Sequence, residues 1–398
     1  MALDQFLPLA QPLHRLIVAP YILKSVLIIS FSTIHSDPRV MRQVRLLESV
    51  QQVTVAGYGR PPDANIEFVV LDKPTASMLQ KGIWAGKLLL GAFESYYWSL
   101  LQVLGAQRLL GERRFDLIVA NDISALPLAL ALAKGSPVLM DAHEYSPREF
   151  DDKLLWKLLF GRYHHYLCKR YLSRAGAMTT VCQGIADEYL RQYKVPCEVI
   201  YNAPLNQKLL PSLREDEHIR LIHHGAGIRS RHLEVMIEMM QYLDGRFTLS
   251  FMLVESDPAY MTELRALANA DPRIRFIEPV PMPDICRRLN EFDMGVYLLP
   301  PVNFNHEHAL PNKFFEFIQA RLAVAIGPSP EMARLVNHFK CGVISNSFAP
   351  ADLASVISAV TPSDLIGLKQ ASHEAAAKLS YELSGQLMLD TVDRLLSA

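Results

Sequence analysis

Short apolar runs alternate along this chain with amphipathic stretches of helical period. Val26–Ser30, Val53–Ala56, Phe68–Leu71, Leu117–Ala120, Val138–Met140, Met178–Val181 and Val199–Tyr201 read as strands, with helices over 40–49 and 126–134 between them. The rhythm restarts with Ile219–His223, Leu249–Leu253, Ile274–Ile277, Gly295–Leu298 and Val324–Ile326. Strands that alternate with helices specify parallel sheets covered by helices, so two α/β halves of similar size are expected. The polar passage from Asn202-Ala-Pro-Leu to Arg214-Glu-Asp-Glu-His joins them. The resulting division is an extension over 1–24, a first domain over 25–205, a second over 206–378 and a terminal helix over 379–398.

Length agrees with that division, because 398 residues exceed what one hydrophobic core supports. Half the residues are hydrophobic and 20% are charged, as in ordinary globular proteins. A formal net charge of −1 supplies no global field for nucleic acid. Five scattered cysteines (Cys168, Cys182, Cys197, Cys286 and Cys341) lack the spacing of a metal site and read as reduced thiols. Asp4, Pro8, Pro12, Arg15 and Pro20 interrupt the apolar start, so neither a signal peptide nor a membrane span is expected. A cytoplasmic protein follows from these readings.

The chemistry concentrates in three places. In His308-Ala-Leu-Pro-Asn-Lys-Phe-Phe-Glu316, Pro311 suits a helix start, and the helix is expected to end near Arg321 before the strand closed by Gly327-Pro328. A helix amino end attracts phosphate through free N–H groups and its dipole. Lys313 adds charge there, and Glu316, on the same helix face, can accept hydrogen bonds from ribose hydroxyls. The second place is Gly225-Ala-Gly227-Ile-Arg229-Ser-Arg231, where glycines after a strand let backbone approach a diphosphate and two arginines can clamp it. The third is Asp141-Ala-His143-Glu144, at the carboxyl end of a strand, where ligands of open α/β sheets gather.

Pro311-Asn312-Lys313-x-x-Glu316, with its helix and following strand, resembles the donor signature of retaining glycosyltransferases of family 4, of the capsule and exopolysaccharide type. That resemblance implies a GT-B fold of two Rossmann-like domains facing across a cleft, with the last helix crossing back to the first domain. It implies transfer from a UDP- or GDP-linked sugar to a glycan or lipid-linked hydroxyl acceptor with retention, without metal or other cofactor. The first domain would hold the acceptor and the second the nucleotide. Gly225, Gly227, Arg229, Arg231, His308, Leu310, Asn312, Lys313 and Glu316 would bind the donor; His143, Arg231 and Lys313 would act in catalysis. The family places a glutamate at each end of a seven-residue spacer; here His308 replaces the first, which contacts the donor sugar. Asp37-Pro38-Arg39-Val40 similarly stands where the family often has a glycine-rich loop, and puts Arg39 or Arg42 near a phosphate. The first domain shows no obvious carboxylate nucleophile.

Two other readings compete. Gly225-x-Gly227 is two-thirds of the dinucleotide fingerprint, although Ser230 occupies the third glycine's place, which leaves a nucleotide-sugar epimerase or dehydrogenase. His308 also suits a GT-B subunit that binds without turnover. The basic, aromatic stretches Lys81 to Arg108 and Lys153 to Arg174 suit peripheral contact with the inner membrane surface, and equally a core helix with a solvated face.

Overall fold

A computed structural model describes residues 23–73, 75–212 and 217–397; nearly all of the expected extension over 1–24 lies outside them. The first sheet comprises β1 (Ser25–Thr33), β2 (Gln52–Tyr58), β3 (Glu67–Val70), β4 (Leu117–Asn121), β5 (Val138–Ala142), β6 (Ala177–Thr180) and β7 (Glu198–Val199). The second comprises β8 (Ile219–Gly227), β9 (Phe247–Glu255), β10 (Ile274–Ile277), β11 (Met294–Tyr297), β12 (Ala323–Ile326) and β13 (Gly342–Ile344). Every pairing is parallel, in the orders β3-β2-β1-β4-β5-β6-β7 and β10-β9-β8-β11-β12-β13. Each order reverses once, between β1 and β4 and between β8 and β11. Such a switch point opens a crevice beyond the strand ends, so the fold supplies one crevice per half.

Val26 to Ile29 are fully buried, as a central parallel strand covered on both faces requires. One face, with Val26 and Ile28, meets Met388, Val392 and Leu395 of the last helix, Tyr381–Ser397. The other, with Leu27 and Ile29, packs into a core that runs on into Phe314, Phe315 and Phe317 beneath the second sheet. The last helix therefore crosses back to the first half, and Tyr381 ties it there by donating its hydroxyl to the Arg42 carbonyl at 2.8 Å. Together these features make the GT-B fold.

Three local differences from the sequence pattern have physical causes. β8 runs four residues beyond His223, because Gly225, Ala226 and Gly227 pair in register with Leu253, Val254 and Glu255. The long helical region after Met78 is three helices (Met78–Leu89, Phe93–Tyr97 and Leu101–Leu110), with Gly91 at φ +72° between the first two. β13 is too short and half-buried to stand out as a hydrophobic run.

Candidate functional site

The crevice of the first sheet is organised around Asp141, the fourth residue of β5. Its carboxylate is fully buried and receives the Arg39 guanidinium through two hydrogen bonds of 2.7 and 2.5 Å, the Thr179 hydroxyl at 2.6 Å and the Gln43 amide. Burial opposes ionisation, but Arg39 and His143 hold this carboxyl well below the usual range. Asp37 explains how Arg39 gets there: it caps helix Pro38–Leu47 by accepting from the Arg39 and Val40 N–H groups, each at 3.2 Å. Arg39 is thus 94% buried beneath the crevice rather than facing a ligand.

His143 follows β5 directly. Its Nε2 lies 2.9 Å from Asn121 Oδ1 and 3.5 Å from Asp141, and its Nδ1 lies 3.5 Å from Asp122. Burial lowers its pKa, yet Asp122 and Asp141 outweigh burial and bring the ring up to about 9. A ring protonated on both nitrogens only donates hydrogen bonds. Asp122 was missed in the sequence although it directly follows β4 beside the switch point, the rule that singled out His143. It adopts a left-handed backbone (φ +63°) and accepts the His143 N–H at 2.9 Å. Beside it, Glu144 lies open to the crevice but walled by protein, and its carboxyl is pushed up to about 7 by lost hydration, reinforced by Asp122. The first half thus presents two carboxylates besides Asp141: Asp122 and the Glu144 already singled out in the sequence.

The second sheet's crevice has opposite chemistry. The helix is Asn312–Gln319, with Pro311 at its cap position and no side chain capping its amino end. Lys313 reaches from its first turn over the Tyr297 ring, 5.1 Å from the centroid, to His223 Nε2 at 3.0 Å. His223 Nδ1 lies 2.8 Å from the Val296 carbonyl, so a neutral ring with its proton on Nδ1 accepts from the lysine. Burial and the nearby Arg231 bring Lys313 down to about 7. A side-chain carbon on residue 225 would lie 3.1 Å from the Lys313 Nζ, and Gly225 also needs φ +128°; glycine meets both demands. The Tyr297 hydroxyl is buried with no hydrogen-bond partner.

Glu316, one turn further along, is largely buried, and its carboxyl is raised by burial while Arg42 and Lys313 oppose the shift. His224 Nε2 lies 3.3 Å from it, outside hydrogen-bond alignment, and burial pushes that ring down to about 3. Arg42, held by the Asn202 side chain and carbonyl, approaches Glu316 from the first half.

The other expected donor residues diverge. Arg229 is exposed, pairs with Glu263 at 2.7 Å and stacks over Tyr260, away from Lys313. Gly227 makes room for Met261. Leu310 is core, and Asn312 sits half-buried in the helix's first turn. His308 packs on Gly184, where any side chain would collide with its ring, and its Nδ1 lies 3.6 Å from Glu331. Glu331 in turn accepts the Gly184 N–H at 2.8 Å and the Gln183 N–H at 3.3 Å, capping a first-half helix from the second half. Asn305 adds a further tie, accepting the Tyr145 N–H at 2.8 Å and donating to its carbonyl at 3.3 Å. Asn305, Glu331 and Tyr297 had no signal in sequence, since each matters through a partner in a remote segment.

Among the described residues no group of three His, Cys, Asp or Glu side chains could hold a metal ion, and the five cysteines are unpaired. No single helix among those residues is long and apolar enough to cross a membrane.

The sequence model of Glycosyltransferase Family 4 matches residues 40–203, most of the first half. No curated protein matches the sequence. Among solved structures, the chain is similar to HepE of Anabaena in complex with UDP and glucose, at 14% identity and TM-score 0.64 over 93% of this chain and 99% of that one. It is also similar to sucrose-phosphate synthase of Thermosynechococcus elongatus, at 14% identity and TM-score 0.67 over 94% and 99%. A glycosyltransferase of Rickettsia africae aligns at 12% identity and TM-score 0.67 over 94% and 99%. At these identities the likeness establishes a shared fold.

Proposed function

We propose that this protein is a retaining glycosyltransferase that moves a sugar from a nucleoside diphosphate donor to a hydroxyl acceptor. The observation that carries the proposal is the convergence of Lys313, Arg231, the uncapped amino end of helix Asn312–Gln319 and Glu316, with Arg231 near enough to Glu144 of the first half to act on its carboxyl. The family match over the first half and the UDP held by the HepE structure support it.

The first half takes the acceptor and the second the nucleotide. Glu316 accepts hydrogen bonds from the ribose. Lys313 and Arg231, with the helix amino end, receive the diphosphate, and the unpaired Tyr297 hydroxyl supplies another donor. As the bond from anomeric carbon to phosphate oxygen breaks, negative charge grows on the departing diphosphate, and these fixed charges stabilise it. The acceptor oxygen bonds the anomeric carbon from the same face, and its proton passes to the departing phosphate. His143 donates to a sugar hydroxyl or phosphate oxygen. The acceptor in this reading is a glycan or lipid-linked glycan of surface polysaccharide or glycoconjugate synthesis, met through peripheral contact with the inner membrane surface. The position of His308, its ring packed on Gly184 and its Nδ1 3.6 Å from Glu331 rather than open to a sugar, favours a second reading as a binding subunit without turnover.

Calorimetry with UDP and GDP, with and without chelator, tests donor binding, and release of nucleoside diphosphate from the sugar nucleotide tests turnover. Binding of UDP or GDP that survives chelation is expected. Binding of nicotinamide nucleotides alone would sink the transferase reading, and binding without any turnover would favour the subunit.

A further inference from the structure

Helix Met78–Leu89 touches the protein along little of its surface. Met78 is 84% exposed, Leu79 75% and Ile83 50%, while Leu88 alone in this helix is fully buried. A helix this apolar on its outward side is unsuited to water. It packs against the π-helical turn Lys157–Gly161, which continues the short helix Leu154–Trp156. There Leu154 and Leu155 are each 71% exposed and Leu158 54%. Six large apolar side chains thus stand out on two adjoining elements, and scattered surface leucines do not cluster in this way.

Charge identifies what covers them. No Asp or Glu occurs between Lys73 and Phe93 or between Lys153 and Ala186. Lys81, Lys153 and Lys157 are exposed among the leucines. Glu94, next along the chain, is occupied by hydrogen bonds from Trp98, Tyr166 and Tyr171. Apolar side chains interspersed with Lys81, Lys153 and Lys157, with Asp151 paired to Arg148 at 2.6 Å and Asp152 at the margin accepting from Asn303, match lipid tails beneath anionic headgroups. The patch also borders the junction of the halves, since Asn303 of the second half donates to the Glu149 carbonyl at 3.2 Å and to Asp152 at 3.3 Å, just before Lys153.

We infer that the surface made by Met78–Leu89 and the turn after Leu154 docks on an anionic bilayer. This gives the proposed transferase its partner surface, but vesicle binding requires no catalysis, so either reading can fail alone. The test is sedimentation of the full-length protein with phosphatidylcholine vesicles, with and without phosphatidylglycerol. Binding to the anionic vesicles only, weakened by salt, is expected. The triple variant Lys81→Glu, Lys153→Glu, Lys157→Glu should lose on the order of 100-fold in partition, at roughly five-fold per basic side chain. Leu154→Ser with Leu155→Ser and Leu158→Ser should abolish binding, and unchanged melting temperatures would show that both variants fold. The inference is overturned if the parent stays in solution, if it binds neutral vesicles equally well, or if the variants bind like the parent. A concentration-dependent dimer dispersed by the serine variant, without vesicle binding, would overturn it by identifying a second copy as the occupant.

Discussion

The two halves share the order of six strands and the place of the switch point, yet carboxylates outnumber cations in one crevice and cations outnumber carboxylates in the other. At the carboxyl ends of β4 and β5 stand Asp122, Asp141 and Glu144 around a histidine held protonated. Beyond β8 and β11 stand Lys313, Arg231 and histidines held neutral. Topology fixes where a ligand can bind, and the side chains at the strand ends fix what binds. An acidic wall repels a diphosphate, and a basic one beside a helix amino end attracts it. The imidazoles differ as well: Asp122 and Asp141 outweigh burial and raise His143 to about 9, whereas burial, with Lys313 adding to it, lowers His224 to about 3.

The largest expected effect is on the acidic side. Asp141→Ala leaves the buried Arg39 unpaired, which should cost about 3–5 kcal/mol of stability, read by urea unfolding. A loss below ~1 kcal/mol would mean that Asp141 is not the centre of the first crevice. His143→Ala should lower donor turnover by roughly 10²-fold while UDP or GDP affinity stays near the parent's, because a group used mainly in the transition state affects rate rather than binding. Parental turnover would make His143 a structural part of the Asp141 network.

On the basic side, Glu316→Ala should weaken nucleotide binding by about 1.5–3 kcal/mol per charged hydrogen bond lost. Equal affinity in mutant and parent would show that this carboxylate does not hold the ribose. The pH dependence follows from Lys313, whose pKa of about 7 rises when a diphosphate binds beside it. Binding then takes up a proton, so affinity is full below pH 7 and falls as pH rises through it, by at most about tenfold per unit. Lys313→Arg, which stays charged, should flatten that profile; an unchanged slope would assign the proton elsewhere. The smallest effect should be Arg229→Ala, below about two-fold in nucleotide affinity, because Glu263 already holds this exposed side chain. A ten-fold loss would show that Arg229 swings into the crevice.

The alternation of apolar runs and amphipathic helices by itself determined two parallel α/β halves, since strand and helix periods are local properties of the chain. It also located the uncapped amino end of helix Asn312–Gln319 and the strand-end loop at His143, because a helix start and a strand end are written in adjacent residues. What it could not decide is which polar side chain faces the crevice and which is spent on the scaffold. Arg229 and Arg231 are two residues apart, yet Glu263, from a distant helix, takes the first. Arg39 and Arg42 share one helix, yet Asp141 buries one while the other approaches Glu316. His308 occupies the position of a sugar-binding glutamate, yet the packing of the halves sets it against Gly184 and Glu331. These outcomes depend on partners more than twenty residues away, and a buried charge goes to whichever partner the tertiary fold brings within hydrogen-bond reach.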